Sequence, residues 1–489
     1  MRRMISFMLL LPLALVSSGT AEQERDLWYT ISIANARSGW LHETRTKVDE
    51  GWQTEQESKI EIRRGAQSVS MLVTSRFIED IHGKPIRAES VQKLAGAAIT
   101  TTWTFLDNGV IQEVATQLGR KNERDIPLAN RDWLPPIAAE RFFNARASAG
   151  AETIRWSTVL PDQGPEPVEL TRTRVDETTF ERGGRAIPAT RWKSTTSAMP
   201  GSVGEDLVAS DGVLLRQVTS LPFGEMRVEL TDRATAMMAS EKIPELLVSL
   251  FVKLEAPIAN ARTSRTLQML VRAKDGVLED LPSAGAQRSE RMGEGEILVQ
   301  VDLDQPLPAS DAERADPRYR RPSALADAAD ETVAELTTRA LQGMDNASVR
   351  QRAERLRSAV AMHISNKGLS TGFASATETA KSKAGDCSEH AVLLVAMLRS
   401  AGIPSRGATG LVYVEGYQGA PYAFGWHMWS QALVDGVWVD LDATLPRAYD
   451  AAHLLTATTP LDGATMDRDI AGLLQLMGDL DIIIREEGR

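Results

Sequence analysis

The chain of 489 residues contains one cysteine, Cys387, so it cannot form an internal disulfide. Aromatic residues make up only 5%, and the six histidines are scattered along the whole length. Positive charge is in deficit, with 55 Lys and Arg against 66 Asp and Glu and a formal net charge of −11. An acidic chain repels phosphate backbones, so nucleic acid is not an expected partner. After the N-terminus no apolar run reaches the ~20 residues that a membrane-spanning helix needs. Hydrophobic content of 43% and charged content of 25% are those of a folded globular chain, and the length suits two or three domains.

The N-terminus carries two arginines, Arg2 and Arg3, then an apolar run from Ile5 to Val16, then Ser17-Ser18-Gly19-Thr20-Ala21. A charged start, a short apolar core and small residues describe a secretory leader, with cleavage expected after Ala21. The expected destination is periplasmic or secreted, with no stable membrane anchor after cleavage. In an oxidising compartment a lone thiol is a buried bystander, an intermolecular link or a reactive group.

Residues 22–240 read as an antiparallel β domain. Turn signals recur at Ser38-Gly39, Glu50-Gly51, Arg64-Gly65, His82-Gly83, Asn108-Gly109 and Asp211-Gly212, and one helix is expected over Ile137–Ala147 behind Pro135-Pro136. Residues 241–310 read as a small connecting β module that opens with a helix from Glu245 to Leu254. Pro306–Pro322 reads as a linker. From 311 to 489 the pattern turns helical, over Ala324–Leu341 and Val349–Ile364, and becomes mixed further on. A C-terminal helix over Ile470–Met477 and a strand at Ile482–Ile484 complete the expectation, which is an α+β fold.

The chemistry concentrates in three stretches. Gly385-Asp386-Cys387-Ser388-Glu389-His390 runs into an apolar helix that closes at Gly402. Cys387 then stands in the first helical turn, where backbone N–H groups and the helix dipole favour a negative sulfur. Trp426-His427-Met428-Trp429-Ser430-Gln431 and Val437-Trp438-Val439-Asp440-Leu441-Asp442 flank Asp435-Gly436, a two-residue hairpin signal. Pairing Val434 with Val437 puts His427, Trp429 and Gln431 on one face with Asp440 and Asp442, and makes Asp442 the diagonal neighbour of His427. Asp440, opposite Gln431, is the poorer partner for the ring. A thiol nucleophile, an imidazole base and a carboxylate that orients the imidazole are the parts of a Cys/His/Asp triad. Cys387, His427 and Asp442 are therefore the candidate catalytic residues, with Trp429 and Gln431 as candidate binding residues.

These three motifs in this order resemble the transglutaminase-like superfamily, whose core is related to papain. The resemblance covers about 325–460 and implies a papain-like transglutaminase core at the C-terminus, thioester chemistry on amide bonds, and a protein or peptide substrate. Hydrolysis, which needs no second substrate site, is slightly favoured over cross-linking. Calcium sites of the animal enzymes are not recognisable, and no cofactor or metal is expected. His390, one turn after Cys387, reads as structural, and His42, His82, His363 and His453 show no ligand spacing. The alternative reading is a non-catalytic binding or assembly protein that keeps the fold.

Overall fold

The computed structural model describes residues 24–64, 67–94, 98–117, 120–128, 132–199, 202–221, 224–240, 250–274, 278–323, 325–368, 374–417, 420–445, 447–461 and 480–487. The expected leader and the expected helix over 470–477 lie outside these residues. Among the described residues strand accounts for 53% and helix for 18%, so this part of the chain is mostly β. It divides at Pro244/Glu245 into two compact units.

The first unit is one sheet of fourteen strands. Eight follow one another by hairpins from Arg25–Ile33 to Arg120–Pro127, and six more run from Thr153–Leu160 to Gly224–Thr231. The last pairs antiparallel with the first, Trp28 facing Thr231 and Ile33 facing Met226. The two strands left at the edges are thus consecutive in sequence, and the helix Pro136–Ser148 joins them. The edge strand at 153–160 is partly covered: Leu134 donates to the Ser157 carbonyl (2.8 Å) and accepts from the Thr158 hydroxyl (2.8 Å).

Burial alternates along the first strand, where Tyr29, Ile31 and Ile33 are buried, which is the period-two signal of a sheet with one face inward. Most expected turns appear where the glycine adopts positive φ, as at Gly83, Gly109 and Gly212. Ser38-Gly39 is an exception. The first hairpin turns at Ala34-Asn35, both at positive φ, and Gly39 lies inside a strand, where a Cβ would come within 1.8 Å of the Lys59 carbonyl oxygen. The glycine there serves close strand approach and not a turn. Gly65 falls outside the described residues.

The helix Pro136–Ser148 begins as expected, with proline at its first position. Its Phe143 packs on Trp156 and Trp192, and its fully buried Glu140 accepts from Arg25 (2.8 Å) and from Arg45. A carboxylate at 0% exposure is stable there because two guanidiniums meet it.

The second unit holds two sheets and a helical layer. One sheet orders the strands Gln287–Gly293, Glu296–Asp302, Thr266–Ala273 and Leu480–Glu487. The other orders Val252–Lys253, Ala420–Val434, Ser405–Tyr417 and His453–Thr459, with Val437–Leu441 paired to Ala420–Val434. The segment expected as a connecting module shares its core with the Cys387 region, since Met269, Val271 and Val299 join one apolar cluster with Leu411, Phe424 and Leu454. Of the helix expected over 245–254, residues 252–253 are a strand paired with Phe424 and Ala423. The expected linker also folds onto this unit. Its helix Asp311–Ala315 carries a capping box, and Ala309 donates to the Gly436 carbonyl (2.8 Å).

The helix expected from Ala324 begins only at Glu331, because the Asp330 carboxylate caps it by accepting from Thr332 N–H (3.0 Å). The helix Cys387–Ser400 is buried from Ser388 to Arg399. An all-round apolar helix is a central one, and it packs between the helices Glu331–Ala340, Val349–His363 and Ala376–Ser382 and the strand Ala420–Val434.

Replacing Glu140 by Ala leaves two buried guanidiniums without their shared anion. The expected loss is about 3–5 kcal/mol, seen in calorimetry as a fall of roughly 10 °C in the first unit's transition while the second unit's transition stays in place.

Candidate active site

Three elements of the second unit bring the functional side chains together. The central helix starts at Cys387 because the Asp386 carboxylate accepts from Ser388 N–H (2.9 Å) and the Glu389 carboxylate accepts from Asp386 N–H (2.8 Å). This capping box fixes the first turn and with it the half-buried sulfur. Glu389 also accepts from Ala374 N–H (2.9 Å), and burial, with the Asp386 charge, pushes its carboxyl up to about 8. A Cβ at Gly385 would meet the Glu389 side chain at 2.2 Å, so only glycine admits this cap.

The second element is the ribbon made by Ala420–Val434 and Val437–Leu441. Asp435 and Gly436 both take positive φ (49° and 82°), the geometry of a two-residue hairpin turn. The ladder runs from Val434↔Val437 through Gln431↔Asp440 to Ser430↔Leu441. Asp442 follows directly after the strand ends, and its Oδ2 lies 2.8 Å from His427 Nε2, the diagonal contact that the register predicts. The Cys387 sulfur acts on the same ring and adds to its hold on a proton. With Nε2 taken by Asp442, Nδ1 is the ring nitrogen that remains. The structure thus joins His427 to Asp442, with Cys387 acting on the same ring.

The third element is the start of the strand His453–Thr459. His453 is fully buried, its Nε2 lies 3.4 Å from Asp442 Oδ2, and its Nδ1 faces Asp450 Oδ1 (3.1 Å) and the Asp450 carbonyl (3.0 Å). Asp442 itself is 0% exposed, and its other oxygen accepts from Thr444 N–H (2.8 Å).

Electrostatics follow from this packing. Burial disfavours a charged His427, but the charge and hydrogen bond of Asp442, with the Cys387 sulfur adding, raise it to about 9. Burial likewise opposes a charged His453, and Asp442 and Asp450 raise it to about 9. Burial alone would raise Asp442; His427 and His453 together hold it well below the usual carboxylate range. His390, whose Nδ1 lies 2.6 Å from the Asp386 carbonyl, is pushed down by burial.

Trp429 and Gln431, expected as binding groups, are instead buried at 1% and 0% exposure. Trp429 Nε1 (2.8 Å) and Gln431 Nε2 (2.7 Å) both donate to Asp440 Oδ1. They brace the ribbon. Gln431 accepts from Arg406 Nε (2.8 Å), and Arg406 pairs with Glu313 (2.6 Å) and lies 4.0 Å over the Trp438 ring. Asp440, the second carboxylate of the ribbon, is therefore occupied with bracing and makes no hydrogen bond to His427.

Sequence reasoning missed His453 and Asp450. Neither stands at a telling spacing from Cys387 or His427, and although His453 is only 11 residues from Asp442, their meeting depends on how the next strand pairs, outside the Asp435-Gly436 hairpin. Among the described residues, His427, Asp442 and His453 also form a group whose ligating atoms lie within 4.8 Å of one another. Separations of 2.8 and 3.4 Å are those of hydrogen bonds, and a metal ion there would have to displace the protons that join both rings to a carboxylate without solvent exposure.

The raised histidines and the lowered Asp442 set a pH window. The histidines' contribution is complete below about 6.5 and is lost as pH climbs through about 9; the Asp442 contribution is present above about 3.8 and lost in stronger acid. Denaturant titrations between pH 5 and 10 are expected to show the second unit weakening through pH 9, and Asp442→Asn is expected to flatten that alkaline fall and to lower stability below it.

Residues 334–443 match the family model of the transglutaminase-like superfamily. No curated protein matches the chain. Solved structures with similarity include a β-barrel-like protein of a domain of unknown function from Brucella abortus, 12% identical, covering 43% of this chain and 96% of its own with a TM-score of 0.34. A "putative cysteine protease" from Cytophaga hutchinsonii is 15% identical over 46% of this chain and 84% of its own, with a TM-score of 0.28. A "putative protease" from Parabacteroides distasonis is 14% identical over 75% of this chain and 68% of its own, with a TM-score of 0.19. The segment 334–443, which holds Cys387, His427 and Asp442, is a transglutaminase-like domain.

Proposed function

We propose that the protein is an exported cysteine enzyme that acts on peptide or glutamine side-chain amide bonds through a thioester. The observation that carries this reading is the His427–Asp442 contact of 2.8 Å, made by a ring on which the chain's one thiol, Cys387, also acts.

In the proposed reaction the Cys387 thiolate attacks the amide carbonyl carbon and forms a C–S bond. The C–N bond then breaks, and the His427 imidazolium gives its proton to the departing amine. Asp442 holds the ring's orientation and its charge throughout. In the second half, neutral His427 takes a proton from water as the water oxygen attacks the thioester. The acid leaves, and the thiolate and imidazolium return. An amine in place of water would give transamidation, but water needs no second site, so hydrolysis is the favoured outcome. The N–H groups of the first helical turn lack intrahelical acceptors. The Asp386 side chain takes that of Ser388 (2.9 Å), and in this proposal the N–H of Cys387 meets the oxyanion. The leader-like N-terminus supports a periplasmic or secreted site of action on protein or peptide substrates.

Incubation with casein separates the outcomes. New amino termini are expected, with little ammonia release, and Cys387→Ala and His427→Ala should each reduce the rate by roughly 10³-fold or more. Ammonia release with amine incorporation would mark a transglutaminase. No turnover on any protein or peptide substrate, with Cys387 behaving as an ordinary thiol, would leave a binding protein.

A further inference from the structure

Asp442 is shared. His427 lies 2.8 Å from its Oδ2 and His453 lies 3.4 Å from the same atom, with the two ring centres 6.0 Å apart. A triad needs one imidazole on its carboxylate, so the second one requires an account.

The hydrogen-bond partners of His453 settle how many protons it carries. Nε2 faces a carboxylate oxygen of Asp442, and Nδ1 faces a carboxylate oxygen and a carbonyl oxygen of Asp450. All of these atoms are acceptors only, because each carboxylate has its own cation: Asp442 has His427, and Asp450 has Arg262 (2.7 Å). A neutral imidazole has one N–H and would leave one ring nitrogen facing a buried oxygen lone pair. Both nitrogens must donate, so the ring is an imidazolium. The result is a line of alternating charge: Arg262, Asp450, His453, Asp442, His427.

We propose that His453 is a positioning residue of this site, a standing imidazolium that fixes the Asp442 carboxylate between two rings and draws part of its charge away from His427. The proposal rests on the catalytic reading given above and adds a regulator of proton affinity to it. Asp442 alone, buried beside His427, would hold that ring's proton more firmly. A second cation on the same oxygen weakens the grip. The neighbours of His453 leave it little freedom to do otherwise. Tyr449 lies at 4.2 Å and Trp429 at 5.4 Å between ring centres, Asp440 is the nearest further acid on the ribbon, and the adjoining strand offers Val412 opposite it. Within this shell Asp442, Asp450 and Asp440 favour the charged ring, while His427 and, through Asp450, Arg262 oppose it.

The test is histidine side-chain NMR on the full chain, with His453→Gln as the comparison. Gln keeps an N–H donor toward Asp442 and carries no charge. In the unsubstituted protein at neutral pH, both ring nitrogens of His453 are expected to give the signals of protonated nitrogen. In His453→Gln the titration midpoint of His427 is expected to move upward by about one pH unit, since a cation about 6 Å away has been removed. A neutral-tautomer signal from His453, or an unmoved His427 midpoint in a folded variant, overturns the proposal. If the variant does not fold, the nitrogen signals of the unsubstituted protein decide alone. Alkylation of Cys387 in the unsubstituted protein reports separately on the catalytic reading: an ordinary thiol there would sink the enzyme and leave the protonation of His453 still readable.

Discussion

The organisation of the second unit turns on one buried carboxylate. Asp442 has no solvent exposure, yet it is held ionised between His427 and His453 and anchored by Thr444 N–H. Removing one partner of such a buried charge group typically costs about 3–5 kcal/mol, because the remaining charges stay buried without compensation. Each element around it is placed to meet that demand. The ribbon delivers His427 from its long strand and Asp442 from just past the end of its short one, the next strand delivers His453, and Asp450 with Arg262 closes the far end.

The sulfur is positioned by a different device. A capping box at Asp386 and Glu389 sets where the central helix begins, and Gly385 leaves room for the Glu389 side chain. The helix is then locked by an apolar surround on every side, so that its N-terminus cannot drift relative to the ribbon. A second polar chain, Asp440–Gln431–Arg406–Glu313, ties the opposite end of the ribbon to the segment before the helices. Two carboxylates two residues apart, one in the strand and one just past its end, thus have separate work: Asp442 meets imidazoles, and Asp440 takes amide and indole N–H groups. The raised affinity of Asp440 for its proton reflects its burial without a cation in direct contact.

Much of this site is legible from residue order, because its parts are local. Asp435-Gly436 fixes a hairpin, the hairpin fixes a register, and the register puts Asp442 diagonal to His427. The start of the central helix is legible for the same reason, since its cap lies within four residues. What escapes is whatever no hairpin registers. His453 stands only 11 residues after Asp442, yet it lies outside the hairpin and reaches Asp442 from a strand paired with Ser405–Tyr417 across a register shift at Thr409/Gly410, which no spacing rule announces. Trp429 and Gln431 were expected on the correct face, but a face does not say whether it opens to solvent, and here it is covered. In the first unit the β character and most turns follow from glycine positions. Ala34 at positive φ carries no such signal, so the first turn was displaced to Gly39. The join of 250–310 to the Cys387 region depends on apolar faces meeting in three dimensions, which composition does not reveal.

The central claim is that Cys387, His427 and Asp442 act together as the reacting groups of the proposed enzyme. The chain has a single cysteine, so alkylation of Cys387 can be followed without ambiguity by the mass of the intact chain. The account predicts alkylation at neutral pH that slows sharply when His427 is replaced by Ala and less when Asp442 is replaced by Asn. Alkylation that does not respond to either replacement would contradict it.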